Sequence, residues 1–424
     1  MPWPNSPVHD VGLRVVQPAS WIVFYDSNGN TYHAVTNGTD GSPGTDIASQ
    51  DIWALLNSID GQLASNGVYH IHIKGGNYTG SATFSPSQDH GYLITGDGTS
   101  SLSDVNSTTN GTVLNYTGST GSAVDTTPNW SGASNQHPFL VFGLANLMIV
   151  GKSTNGTLLK LTGCNGFRSY DVSIGGNGIA DGVPVSGSVG LSLPSAGNTG
   201  LHTFIASSFL GFDTNLLTAA DHVKLIGTNF GNAYNYNWRI TGGNHLAAFD
   251  PHFFNGIGRP NAISIQDDRT PTLGYVLAMV NVIAEGLNGY NNQNGGYYVM
   301  LGGGQNNGAN GFTISSNLGT GIEVIGGQTT LNGTTAGSAI YSMPFKSHTN
   351  FGVDVGSFQK FILFLNGYRN STGTAQTITW PNRFTNSPAI LKDDSGGSTV
   401  STTTLTLPIS MGAPVTGWII IEGY

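Results

Sequence analysis

Apolar and polar residues alternate in short runs over most of this chain, and one stretch breaks the habit. In DIASQDIWALLNSIDGQLA, Ile52, Leu55, Leu56 and Ile59 recur at i, i+3, i+4 and i+7. That spacing is one face of an α-helix, and Asp46 or Ser49 is placed to cap it. Residues 1–50 are otherwise turn-rich, with a strand at Trp21–Tyr25 and a hairpin signal in DSNGNTYHAV. After the helix, VYHIHIKGGNYTGSATF alternates so that Ile71 and Ile73 lie on one side of a strand and His70, His72 and Lys74 on the other. YLITGDGTSS and TVLNYTG follow. From about residue 138 the chain is a run of short strands, among them NLMIVGK, YDVSIGG, HTFIASSFLGF, HVKLIGTNFGN and GIEVIGG. Ile149, Ile174, Ile205 and Leu225 sit at comparable places in that run. A short coil recurring every roughly 20–30 residues predicts a solenoid whose coils stack on their neighbours. From residue 345 the strands lengthen, as in FILFLNGYRN and TGWIIIEGY, which predicts an antiparallel β-sandwich. The expected organisation is a strand-and-hairpin segment over 1–50, a solenoid over 51–344 and a sandwich over 345–424.

Composition supports an all-β fold. Of 424 residues, 62 are glycine and only 9% are charged, against about 25% in ordinary domains. Asn, Ser, Thr and Gly take up the polar share, and they mark turns and strand surfaces. The formal charge is −9 with no cluster of Lys and Arg, which argues against nucleic acid as a partner. The single cysteine, Cys164, permits no internal disulfide and reads as a small buried residue. The opening MPWPNSPVHDVG lacks the charged and apolar regions of a signal peptide. No apolar run reaches the roughly 18 residues of a membrane span, so membrane insertion is not expected. Nine N-x-S/T triplets and the Asn-rich surface favour an extracellular or virion-surface protein.

The order of helix, IHIKGGNYTG, YLITGDG and TVLNYTG resembles the opening of right-handed parallel β-helix proteins of the pectin-lyase-like class. In those proteins an amphipathic helix covers the open end of the first coil, which would otherwise expose apolar side chains and unpaired backbone. The C-terminal segment resembles the terminal domains of tail-fibre-like proteins, which implies a homotrimer. The resemblance implies a groove along the stack, with polysaccharide or cell-surface glycan as partner and no cofactor. The function it implies is binding and cleavage of that polysaccharide by a glycoside hydrolase or lyase; the alternative is a non-catalytic adhesin or viral structural spike. The motifs of polygalacturonases and the calcium-holding carboxylates of pectate lyases are not present beyond the pair Asp267-Asp268.

Glycoside hydrolysis needs two carboxylates, about 5–5.5 Å apart for retention and about 6.5–9.5 Å for inversion. Only three glutamates occur, Glu285, Glu323 and Glu422. Glu285 in NVIAEGLNGY is the best placed: with Val280 and Val282 inward, Asn281 and Glu285 share the outer face. The stretch from Asp268 to Glu285 reads as one short coil. In AISIQDDRT, alternation sends Ile263 and Ile265 inward, Ser264, Gln266 and Asp268 outward, and Asp267 inward unless a turn begins there. The competing reading of QDDRTP is a turn in which Asp caps backbone amides and Arg269 pairs with a neighbour. Asp250 and His252 in AAFDPHFF form a second candidate. Candidate catalytic residues are therefore Asp268, Glu285, Asp250 and Asp267. Arg269, His252, Trp238, Tyr236, Tyr290 and Asn281 are candidate sugar contacts, the aromatics because a flat ring with a polar tip suits a sugar face. His70 and His72 lack the third ligand a zinc site needs, so no metal is assigned.

Overall fold

A computed structural model describes residues 20–36, 44–64, 68–87, 91–99, 111–130, 142–152, 154–164, 166–180, 182–195, 200–254, 262–269, 276–285, 288–292, 297–305, 312–316, 321–325, 329–331, 340–346, 359–368, 376–379, 386–402, 404–408 and 415–423. Between 283 and 379 the description is of the backbone. The chain is all-β with large parallel sheets, and it divides into two compact units, one spanning 1–243 with 256–262 and the other 244–255 with 263–424.

The first unit opens on an antiparallel hairpin of Trp21–Asp26 and Thr31–Thr36. Trp21–Asp26 then pairs in parallel with Val68–Ile73, which pairs with Gly91–Gly96. The helix Ile52–Asp60 lies between them in sequence and buries Ile52, Trp53, Leu55, Leu56 and Ile59. Its N-cap is Asp51, not Asp46 or Ser49. One Asp51 oxygen accepts from the Trp53 and Ala54 amides, and the other accepts from the Ser81 and Ala82 amides. Asp46 is instead bonded to His33, and Ser49 accepts from the Asp51 amide.

Beyond the hairpin, three runs of parallel strands repeat. The long strand Phe142–Val150 pairs through its first half with Gly91–Gly96 and through its second with Thr112–Tyr116. Arg168–Gly175 pairs along both halves of Phe142–Val150. The next coils split into Thr203–Ile205 with Ser208–Leu210, then Lys224–Ile226 with Asn229–Gly231. At every break one residue has a left-handed backbone: Asn146, Asp171, Ala206 and Gly227, with φ between 48° and 55°. Single residues, mostly Gly, Asn or Asp, visit this region at tolerable cost, and here each marks the break between the first and second run of strands. A third run stacks Val124–Asp125, Thr157–Lys160, Val189–Leu193, Thr214–Thr218 and Tyr236–Ile240.

Stacked coils put like with like in the interior. One inner column reads Tyr78, Leu114, Ile149, Ile174, Phe209 and Phe230; another reads Ile71, Ile94, Leu144, Ser169, Phe204 and Leu225. Ile149 and Ile174 are in register as the sequence suggests. Ile205 and Leu225 are not, because the coil between Asp171 and Ala206 is longer than the one from Asn146 to Asp171. Rings touch along the interior from Tyr92 through Phe142, Phe167 and Phe204 to Phe209 and Phe230, with centroids 5.3–6.1 Å apart. Such contacts add about 0.5–1.5 kcal/mol each beyond burial. Asn215 completes a corner: it accepts from the Phe212 amide and donates to the Gly231 carbonyl and to Asn237.

The second unit repeats the pattern. Leu246–Phe249 and His252–Phe254 pair with the two halves of Val276–Glu285, and that strand pairs with Tyr297–Gln305. Ile263–Asp267, Asn288–Asn292, Phe312–Ser316 and Thr329–Leu331 form a second parallel run. Two antiparallel sheets follow, one of Ile340–Lys346, Gln359–Tyr368, Val415–Gly423 and Ala389–Asp393, and one of Gln376–Thr379, Thr404–Leu407 and Thr399–Val400.

Candidate functional site

The expected carboxylate pair is not built as stacked neighbours. Asp268 follows the strand Ile263–Asp267, whose next rung is Asn288–Asn292. Glu285 ends a strand of the other parallel run, in register with Phe254. A full coil carries the chain from Ile263 to Asn288 in one run and from His252 to Ile283 in the other. The stretch from Asp268 to Glu285 is shorter than either, and it crosses from one run to the other instead of closing a coil. The side chains of Glu285, Asn281 and Tyr290 lie outside the described residues.

Asp267 and Arg269 are corrected from site residues to core. Arg269 donates from Nε and Nη2 to the two Asp267 oxygens at 2.8 and 2.7 Å, and its own amide donates to Oδ1. Both side chains are 1% exposed, so neither can meet a polymer. Asp268 is half-buried and accepts from Gln266 Nε2 at 2.6 Å. Ser264 and Gln266, expected outside, are buried too, because this strand is covered on both faces. Of the two valines expected inward, Val282 is buried, while Val280 is half-buried and Met279 is buried in its place. Asp250 is exposed with φ 54°, the left-handed corner of its coil, and its amide donates to the Val280 carbonyl. His252 is half-buried beside Phe254.

Trp238 is corrected likewise. It has no exposed surface, sits in an inner column with Leu216, and donates from Nε1 to Thr218. Tyr236 is half-buried, with the Arg239 guanidinium 5.1 Å from its ring centre. Cys164 is buried, and burial pushes its thiol up to about 12, which makes it inert.

What the fold does bring together lies on the outer face of the first run. Two outward columns stand side by side there. One holds His70, Leu93, Gly143, Arg168, Thr203 and Lys224; the other holds His72, Thr95, Ala145, Tyr170, Ile205 and Ile226. Leu93 and Tyr170 pack over the buried Ala145. Lys74 and Lys224 are exposed, and Arg168 is half-buried. Desolvation holds the Arg168 guanidinium below its usual range.

At one end of these columns four side chains form a chain of hydrogen bonds. Thr95 Oγ1 lies 2.8 Å from His70 Nε2 and 2.9 Å from His72 Nδ1. His72 Nε2 lies 2.9 Å from Asp97 Oδ1, and Asp97 Oδ2 accepts from the Gly75 amide at 2.7 Å. With the carboxylate as acceptor, one arrangement of protons fits these contacts. The carboxylate accepts from His72 Nε2–H, so His72 Nδ1 is an acceptor and Thr95 must donate to it. His70 Nε2–H then donates to Thr95. His70 and Thr95 are buried, whereas the His72 and Asp97 side chains are 22% and 42% exposed. His70 and His72 therefore point into a shared network and not simply to solvent. The signal was in the sequence: YHIHIKGG and YLITGDG have the same texture, and laying Tyr69 on Tyr92 sets His72 against Thr95.

No protein-family model and no curated protein matches the chain. Among solved structures, a surface adhesin of Streptococcus pneumoniae is similar at TM-score 0.29 and 11% identity, over 66% of this chain and 87% of that one. An alginate lyase from a Paenibacillus species is similar at 0.30 and 11%, over 67% and 96%. A protein of Geobacillus virus E2 is similar at 0.30 and 10%, over 86% and 76%. At these scores none of the three carries an argument about activity.

Proposed function

We propose that this chain is a right-handed parallel β-helix protein of an extracellular or virion surface that binds an extended, anionic polysaccharide along its coils. The observation that carries the reading is the pair of outward columns on the first run of strands. Their rungs are about 4.8 Å apart, and they offer a mixed surface in which Arg168, Thr203 and Lys224 stand beside Tyr170, Ile205 and Ile226. The protein is acidic overall, with formal charge −9, yet Arg168 and Lys224 lie in one of these columns, and the exposed Lys74 follows the strand that opens them, near the Asp97 carboxylate. A local positive strip on an acidic protein favours an acidic polymer. In this reading the helix Ile52–Asp60 covers the first coil. The two C-terminal antiparallel sheets pack as a sandwich that holds three copies together, in keeping with the exposed Leu391 and Trp418 there.

The test is electrophoresis of the full chain through gels cast with neutral or uronate-containing polysaccharides. Retardation by an acidic polymer is expected. A Lys74→Ala, Arg168→Gln, Lys224→Ala variant should bind at least about tenfold more weakly. Free migration of the wild type through every polymer would refute the reading, as would unchanged retardation of the variant.

A further inference from the structure

We propose that the polymer held on this face is an O-acylated polyuronate, with carboxylates at Arg168 and Lys224 and acyl methyl groups against Tyr170, Ile205 and Ile226; the inference rests on the binding reading above. Tyr170, Ile205 and Ile226 occupy one position on three successive rungs. Ile226 is 37% exposed, and Tyr170 and Ile205 are half-buried. The coil does not need them for its core. Their inward neighbours Ser169, Phe204 and Leu225 are already buried, and the outward Thr203 and Lys224 on the same strands are polar. A contiguous apolar column open to water, beyond what the core uses, marks a contact surface.

The neighbouring column decides what that surface contacts. Arg168, Thr203 and Lys224 stand on the same three strands, two residues earlier. Two residues of strand set the columns about 6.6 Å apart. Each cation thus has an apolar residue beside it on its own strand, Tyr170 with Arg168 and Ile226 with Lys224. Thr203 lies between the cations and offers a hydroxyl to a sugar oxygen. The ligand that matches is anionic along one edge and apolar along the other.

Two simpler ligands match less well. A wholly apolar partner would strip water from Arg168 and Lys224 and give them no counter-charge. A bare polyuronate would set its free hydroxyls against the isoleucines, where they find no partner. In a uronate ring the C5 carboxylate and the substituents at O2 and O3 stand on opposite edges. Acylation at O2 or O3 therefore turns the hydroxyl edge apolar and leaves the carboxylate edge as it was. One such ring laid across either strand puts its carboxylate at the cation and its acyl methyl at the apolar side chain.

The experiment titrates the full chain with an O-acetylated polymannuronate and with the same sample after alkaline de-acetylation, which keeps its length and charge. Each methyl group taken out of water gains roughly fourfold in affinity, so two contacts should favour the acetylated form by about tenfold. The Ile205→Thr, Ile226→Thr variant keeps the β-branched shape. It should bind both forms alike, close to the wild type's affinity for the de-acetylated one. Equal affinity of the wild type for both forms overturns the inference and leaves the binding reading standing. A preference that survives in the variant also overturns it, since the acyl groups then lie elsewhere. No binding of either form sinks the binding reading and the inference with it. Light scattering on both proteins tests the other occupant. An assembly of the wild type that comes apart in the variant would make the column a seam between copies and overturn the inference.

Discussion

Asp267 and Arg269 form a two-pronged ion pair at 2.7 and 2.8 Å with both side chains 1% exposed. Removing one partner of such a pair leaves a buried charge uncompensated, which costs about 3–5 kcal/mol. Asp267→Asn and Arg269→Met are each expected to lower stability by that order in urea denaturation. Affinity for polysaccharide below the transition should be unchanged, since neither group reaches the surface. A loss of binding without a loss of stability would return the pair to the site.

Gly211 has φ 78°, and a Cβ there would lie 2.6 Å from the Ile179 amide nitrogen and 2.7 Å from the Gly178 carbonyl carbon. Both obstacles are backbone, so no side chain can swing aside. Gly211→Ala combines a left-handed penalty with a forced shift of the 3₁₀ turn Asn177–Ala180, for about 3 kcal/mol in all. That turn carries Ile179, which packs against the cluster of Val113, Met148 and Val150. Thermal unfolding of the variant should show the loss; an unchanged midpoint would mean that the turn moves freely.

His202 is fully buried, and its Nδ1 accepts from the Phe167 amide at 3.2 Å. Burial lowers its pKa from 6.5 to about 3. The unfolded chain therefore takes up a proton that the folded chain refuses. The stability in question is intact above about pH 6.5 and is lost progressively as pH falls from there toward about 3. Each pH unit inside that window removes up to about 1.4 kcal/mol. Urea unfolding at pH 7 and pH 4.5 should show a steeper acid loss for the wild type than for His202→Asn, which keeps an acceptor for the amide. Equal slopes would mean that His202 is protonated in place.

These sites also show what could be read from the sequence. The helix was legible because Ile52, Leu55, Leu56 and Ile59 repeat at the helical period, and all four are buried. Strands were legible because Ile71 and Ile73 alternate with His70 and His72. Register was not, because it depends on how much chain each coil spends at its corners. The left-handed corners Asn146, Asp171, Ala206 and Gly227 are unevenly spaced, and each one resets the alternation. For that reason Trp238 reads as a surface ring, whereas Asn237 and Trp238 are both buried. For the same reason Asp268 and Glu285 read as residues of successive coils. The partners of Thr95 are not legible in the sequence, because a threonine on a strand is ordinary until the rung beside it is known.

The cation strip makes a prediction that separates charge from shape. Lys74 and Lys224 are exposed and Arg168 is half-buried, so the first two are open to salt and the third is partly shielded. Exposed charges are screened beyond about 3 Å at 1 M ionic strength, compared with about 10 Å at 0.1 M. Affinity for an acidic polysaccharide should therefore fall steeply as salt rises. The Lys74→Ala, Lys224→Ala variant should bind less tightly at low salt and show a flatter salt dependence. Arg168→Gln should cost affinity at every salt concentration, because its contact is made closer to the sheet. Tyr170→Ala should weaken binding with no change of slope, since ring stacking carries no net charge. Titration of a defined uronate oligosaccharide by calorimetry at three salt concentrations checks all four proteins. Parallel salt dependences for the wild type and the double lysine variant would place the polymer elsewhere on the molecule.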